Sequence, residues 1–248
     1  MKKADTLIHF VINLYYHDYY YTPLMIKFSK LLNLKTLKID VSYLEFEDQL
    51  RTSTFRNLES FQIDLIEINT VVCIIKNCGG RLRKILIDDY NFDENFYEES
   101  LILIRTIYEH CPLIEYLTLT FLSSKEHFIE FEKLLVICQN LKVLLLEISE
   151  SINDVNEYEL IEGKRFLSGE RLLNVLVRSA PFNLREIRFF GYFKFSLIIL
   201  EEFLENWRGR PALLIITSDH DHEKEAYIKI ISKYKIDGVI KDYRYEMF

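Results

Sequence analysis

The segment at 33–40 reads NLKTLKID, and close copies follow as NLESFQID at 57–64 and RLRKILID at 81–88. All three share the order apolar-x-x-apolar-x-apolar, in which the last two apolar positions are two residues apart. A spacing of two is the period of a β-strand with one buried face. The sequence therefore predicts a short strand that recurs along the chain.

Further copies of this pattern extend the series toward the C-terminus. They read LIEYLTLT at 113–120, NLKVLLLE at 140–147, NLREIRFF at 183–190 and, more weakly, PALLIIT at 211–217. The first apolar anchors stand at positions 34, 58, 82, 114, 141 and 184, so successive spacings are 24, 24, 32, 27 and 43 residues. Leucine-rich repeats run about 20–29 residues, which fits three of these spacings and indicates an insertion in the longest.

Segments with helical spacing separate the predicted strands. Apolar residues recur at steps of three and four in ESLILIRTIYEHC at 99–111, HFIEFEKLLVIC at 127–138 and GERLLNVLVRSA at 169–180. One strand and one helix cannot bury their apolar faces alone, whereas stacked units can. The pattern predicts an α/β leucine-rich-repeat solenoid, a horseshoe with parallel strands on the concave side and helices outside.

The repeats divide the chain into three predicted parts. Residues 1–32 are expected to form an N-terminal helical cap or an atypical first repeat, and residues 33–217 the leucine-rich repeats. A polar run between the fifth and sixth repeats predicts an insertion loop at 150–166, and residues 218–248 are expected to form a C-terminal capping segment.

Composition narrows the function classes. A net charge of -7 disfavours binding to nucleic acid and to anionic membranes. Four cysteines without a CxxC pair are too few for a disulfide scaffold and indicate neither structural zinc nor another cofactor. Three of them, Cys78, Cys111 and Cys138, fall in phase with the repeat and are interpreted as small buried packing residues. A reducing compartment, cytoplasmic or nuclear, is expected.

The motifs CPLIEYLTL at 111–119 and CQNLKVLLLE at 138–147 resemble repeats of the F-box/leucine-rich-repeat protein family. The ordered series, including FLENWRGRP at 203–211 and KYKIDGVIKDY at 233–243, is similar to the expanded F-box-like families of arbuscular mycorrhizal fungi. This resemblance covers roughly residues 28–245, judged by the recurring motifs.

The resemblance implies a protein-recognition module, the substrate-binding part of an SCF-type ubiquitin ligase receptor, which is not itself an enzyme. An F-box typically opens with a Leu-Pro pair and an acidic residue, and none of the four prolines has that context. The chain therefore resembles the C-terminal repeat half. A Skp-type adaptor and a cullin are expected only if the full gene product carries an F-box. The alternative is a free-standing leucine-rich-repeat scaffold without a ligase role.

In such a horseshoe, the residues between and after the strand anchors face the concave side. The candidate partner-binding residues at these positions are Lys38, Asp40, Gln62, Asp64, Lys84, Asp88, Tyr116, Thr118, Glu147 and Arg188. Asp40, Asp64 and Asp88 form an acidic column, with neighbours roughly 5 Å apart at the usual strand spacing. The column is either a contact for a basic segment of the target or an ordinary strand exit, where Asp starts turns.

One enzymatic alternative depends on two histidines. The segment SDHDHE at 218–223 places His220 and His222 two residues apart among carboxylates, a spacing that could hold a metal ion on a strand. It is the basis of a less favoured hypothesis, a metal-dependent hydrolase. The chain has no glycine-rich phosphate-binding motif and no GxSxG nucleophile motif, so binding is favoured over catalysis.

Overall fold

The fold is known from a computed structural model that describes residues 6–14, 31–41, 47–63, 66–87, 95–149, 158–219 and 224–246. Within these residues there are nine strands and seven helices. In chain order they are β1 (His9–Leu14), β2 (Thr36–Val41), α1 (Glu47–Thr52), β3 (Ser60–Ile63), α2 (Ile68–Lys76), β4 (Lys84–Ile87), α3 (Phe96–His110), β5 (Tyr116–Leu122), α4 (Lys125–Ile137), β6 (Val143–Ser149), α5 (Tyr158–Ser179), β7 (Glu186–Gly191), α6 (Leu197–Asn206), β8 (Leu213–Thr217), α7 (Glu225–Ile236) and β9 (Ile240–Tyr245).

The nine described strands form one sheet whose spatial order is the same as their order along the chain. Strands β1 to β5 pair in parallel, and so do β6 to β9. A doubly wound sheet reverses its strand order at a switch point, and this sheet does not. The α/β class and the parallel sheet predicted from the repeats are confirmed.

The chain folds as two compact units, Met1–Thr118 and Leu119–Phe248. In each unit the strand anchors form the core. All of the apolar anchors predicted from the first six repeats, from Leu34 to Phe189, expose at most 2 % of their surface. Helices α1, α2 and α3 pack in sequence in the first unit, as do α4, α5, α6 and α7 in the second. No helix within the described ranges has the length and apolar character needed to cross a bilayer.

A recurring hydrogen-bond pattern marks the start of five of the described strands, β2, β3, β4, β5 and β7. The first anchor donates its N–H to the carbonyl three residues earlier, as in Leu58 to Phe55 and Leu141 to Cys138. Two consecutive N–H groups then converge on one carbonyl of the preceding repeat. The acceptors are the carbonyls of Ile8, Lys35, Glu59, Arg83 and Lys142. We call this pattern the strand-start clamp, and it shows that the sequence repeats are also repeats of backbone geometry.

For residues 1–32 the sequence left a helical cap and an atypical first repeat open. His9–Leu14 forms a strand, with Phe10 and Ile12 in register with Leu37 and Ile39 of β2, and these residues therefore fit the atypical first repeat. The insertion loop expected at 150–166 needs correction because it is too long, since helix α5 has begun by Tyr158. Good helix formers such as Glu, Lys, Arg and Leu dominate that part of α5.

The C-terminal part adds a further helix and strand. Helix α7 is followed by β9, which pairs in parallel with β8. The segment expected to cap the repeats at 218–248 therefore includes one more helix–strand unit of the sheet.

Candidate protein-binding face

Alternation along the strands gives the sheet a buried face and a partly open one. Strands β3 and β4 alternate half-buried and buried residues, and β6 does so over its full length. We call the half-buried strand positions the outer face. Parallel sheets usually have both faces covered, so a parallel sheet with one partly open face has surface available for a partner.

In the first unit, the strand register brings the predicted contact residues into rows. Thr36, Ser60, Lys84 and Tyr116 are consecutive partners across β2, β3, β4 and β5. The side chain of Tyr116 is 37 % exposed, and Lys84 is half-buried. His9 extends this row, because its Nδ1 lies 3.0 Å from Thr36 Oγ1.

A second row in the same unit contains two more of the predicted residues. Lys38 pairs with Gln62, and Gln62 pairs with Leu86, so the three positions are adjacent on neighbouring strands. Lys38 and Gln62 are half-buried. The next predicted member, Thr118, is only 4 % exposed, so it is buried where the sequence predicted a contact residue.

The second unit holds the last two predicted residues, and both already have partners. Glu147 accepts a hydrogen bond of 3.0 Å from Thr120 Oγ1. Arg188 donates to Glu186, with its Nε 2.7 Å from Glu186 Oε1, and Glu246 is 4.0 Å away. These contacts fix the orientation of both charged side chains before any partner binds.

Arg188 belongs to a charged patch that the sequence did not reveal, formed by Glu186, Arg188, Asp242, Arg244 and Glu246. The register aligns Glu186 with Leu214 and Asp242, and Arg188 with Ile216 and Arg244. Asp242 is 2.6 Å from both Lys235 Nζ and Arg244 Nε, and these bonds hold the pKa of its carboxyl far below its usual range. The patch alternates in sign and is largely self-compensated.

The predicted acidic column falls mostly outside the described part of the chain. Asp64 and Asp88 lie outside the described residues, and of Asp40 only the backbone, within β2, is described. In the second unit the same column continues with Thr120 and Phe190, which are buried, and with half-buried Glu147. The acidic column therefore stays a prediction.

The described residues contain no group of three or more His, Cys, Asp or Glu side chains that could hold a metal ion. His220 and His222, the basis of the hydrolase hypothesis, lie outside the described residues. Trp207, the tryptophan of FLENWRGRP, is 1 % exposed and is therefore a packing residue of the core.

Three of the four cysteines lie at equivalent places at the ends of helices. Cys111 and Cys138 cap α3 and α4, and Cys78 follows the cap of α2. All three are fully buried, and none is disulfide-bonded. A hydrogen bond with Cys111 lowers the pKa of the Cys78 thiol, whereas burial raises the pKa of Cys138 to about 12.

This arrangement predicts the reactivity of the thiols. In the folded protein at mildly alkaline pH, we expect only half-buried Cys73 to react rapidly with Ellman's reagent, because the other sulfurs are inaccessible. Unfolding in guanidinium should release the rest. A Cys73→Ser variant serves as the control and should lose the rapid phase. Rapid reaction of Cys138 in the folded state would contradict the packing role.

No protein-family model matches the chain, and no curated protein matches it.

Proposed function

We propose that the chain is a protein-recognition module of the leucine-rich-repeat type, and that its outer face binds a segment of a partner protein. The observation that carries this proposal is the partly open face of a parallel sheet, on which polar residues from successive repeats stand in register. In such a row each repeat contributes one side chain, and together the rows form an extended binding surface, as in solenoid proteins.

The finer assignment depends on the sequence resemblance. A horseshoe of leucine-rich repeats that selects substrates for an SCF-type ubiquitin ligase agrees with the ordered motifs and with the strand-start clamp. In that role the chain would present a target, and a Skp-type adaptor and a cullin would bind only through an F-box in the full gene product. The second candidate is a free-standing leucine-rich-repeat scaffold without a ligase role.

The outer face of the first unit suggests what its partner presents. Lys38 and Lys84 lie on adjacent rows, with Gln62 and the partly exposed Tyr116 beside them. Tyrosine supplies contact area at low entropic cost, and lysines meet carboxylates. The second unit's charged patch is already compensated, so we assign the main contact to the first unit.

The test is affinity purification from source lysate with matched variants, read by quantitative mass spectrometry. We expect a specific partner whose recovery falls about tenfold or more when Lys38 and Lys84 are both replaced by Glu, since reversed charges repel the partner's carboxylates. The control replaces Arg56 and Lys76 by Glu; both are exposed and lie outside the strands, and the net charge changes equally. Full recovery with the Lys38→Glu/Lys84→Glu variant would contradict the assignment.

The same purification separates the finer alternatives. Co-recovery of a Skp-type adaptor and a cullin supports a ligase receptor, whereas a specific partner without them supports the scaffold. Reversal of Asp40, Asp64 and Asp88 to Lys tests the acidic column, because loss of a basic partner is expected only if the column makes contact with it.

A further inference from the structure

Helices α4 and α5 of the second unit leave a groove between them. Its volume is about 350 Å³. The residues that line it are Lys125, Phe128, Ile129, Glu132, Arg171, Asn174, Val175 and Arg178. It lies on the helical side of the unit and contains no residue of the outer face, so it is separate from the proposed recognition surface.

The floor of this helix groove is apolar. Phe128 and Val175 are 5 % and 3 % exposed, and Ile129, which also lines the groove, is 44 % exposed. Exposed aliphatic surface beside an apolar recess is unfavourable in water. Its burial by a partner therefore lowers the free energy of the complex. The floor therefore suits an apolar side chain.

One acidic side chain on the rim of the groove, Glu132, already forms an ion pair within the protein. Glu132 accepts hydrogen bonds from Arg178 Nε at 2.9 Å and Arg178 Nη2 at 3.1 Å, and from Ser179 Oγ at 3.0 Å. The bidentate contact with Arg178 holds the pKa of the Glu132 carboxyl below its usual range. Glu132 and Arg178 thus form a closed pair that ties α4 to α5 along one side of the groove.

The two remaining cations, Lys125 and Arg171, are exposed, and neither forms an ion pair with any residue that the structure describes. Lys125 is also the first residue of α4, where the N-terminal end of the helix dipole disfavours a cation. A lysine there does not stabilise the helix, and it makes the electrostatic potential of the groove rim more positive. The rim is therefore locally positive on a chain whose net charge is -7.

We propose that the helix groove binds an acidic amphipathic helix of a partner protein. An apolar residue of that helix would pack on Phe128, Ile129 and Val175, while its carboxylates would meet Lys125 and Arg171. A channel between two packed helices accepts the ridge of a third helix, a common mode of helix recognition. Charge complementarity selects an acidic partner over a basic one.

The test is a fluorescence anisotropy titration of the full chain with a defined probe. The probe is a fluorescein-labelled peptide of about 15 residues, long enough to form a helix, with Leu on one face and Glu and Ala elsewhere. A peptide with Lys in place of every Glu is its control. Protein variants are Lys125→Glu/Arg171→Glu, Ile129→Gln and the charge-matched control Arg56→Glu/Lys76→Glu.

The expected result is saturable binding of the acidic peptide that weakens about tenfold or more in the first two variants and is unchanged in the control. No saturable binding, equal binding of the Lys peptide, or equal weakening by the control would overturn the proposal. Sedimentation showing a dimer that the first variant dissociates would also overturn it, in favour of a second copy as occupant. If charge reversal lowers the unfolding midpoint, Lys125→Ala/Arg171→Ala replaces it with the same expectations.

Discussion

Replacing Gly169 by Ala is expected to destabilise the second unit by about 2–3 kcal/mol, the cost of forcing an extra carbon into packed structure. A Cβ at this position of α5 would overlap the carbonyl oxygen of Lys194 and stand 2.7 Å from its carbonyl carbon. The obstacle is backbone, which no side-chain rotation relieves. Helix α5 would have to move away from the segment after β7.

A matched glycine on the same helix gives the opposite expectation. A Cβ on Gly163 meets nothing within 4 Å, so Gly163→Ala should raise stability by up to about 1 kcal/mol through helix propensity alone. Urea unfolding followed by the fluorescence of Trp207, the single tryptophan, measures both variants in the same unit. Equal stability changes in the two variants would contradict the close approach of Gly169 to Lys194.

Replacing Trp207 by Ala should cost about 3–5 kcal/mol, the usual loss for a buried aromatic. The indole is 1 % exposed, its centroid is 5.3 Å from that of Phe203, and the Arg210 guanidinium lies 3.8 Å from it. Its Nε1–H also donates to the carbonyl of Pro211 at 3.1 Å. The indole further positions Arg210, which donates to the carbonyls of Ala180 and Pro181 after α5.

Two controls separate packing from hydrogen bonding at this site. Trp207→Phe keeps an aromatic ring but removes the donor to Pro211, so a loss of about 1–2 kcal/mol is expected. Phe182→Ala removes an aromatic that is 61 % exposed and should change stability by less than about 0.5 kcal/mol. Thermal unfolding by circular dichroism is the measurement. A Trp207→Ala loss no larger than that of Phe182→Ala would contradict the packing described.

The core could be predicted from the sequence because its signal is strong and local. A spacing of two after each leading anchor identifies strands with one buried face, and the anchors are all buried. Strand β9 was not predicted as a repeat, and for the segment that contains β1 a helical cap and an atypical first repeat were both left open, since HFVINL and IKDYRY lack the leucine pattern. The start of α5 was missed for a related reason. Residues 162–167 are all half-buried or exposed, so no apolar period marks that part of the helix.

The candidate site was less predictable. Periodicity tells which face a residue occupies and not whether that face is covered, so the burial of Thr118 could not be foreseen. The charged patch joins Arg188 to Asp242 and Arg244, more than fifty positions along the chain, through pairing with β8. This alignment depends on the register in which β9 pairs with β8. The sequence of β9 matches the repeat pattern too weakly for that register to be predicted.

The strand-start clamp has a direction, and that direction bears on synthesis. In each clamp the acceptor carbonyl lies on the earlier repeat and the two donors on the later one, as with Lys35 and the N–H groups of Glu59 and Ser60. A chain leaves the ribosome N-terminus first, so every acceptor carbonyl emerges before its two donors. Each finished repeat is thus a template on the nascent chain, and the sheet can grow one strand at a time as translation proceeds.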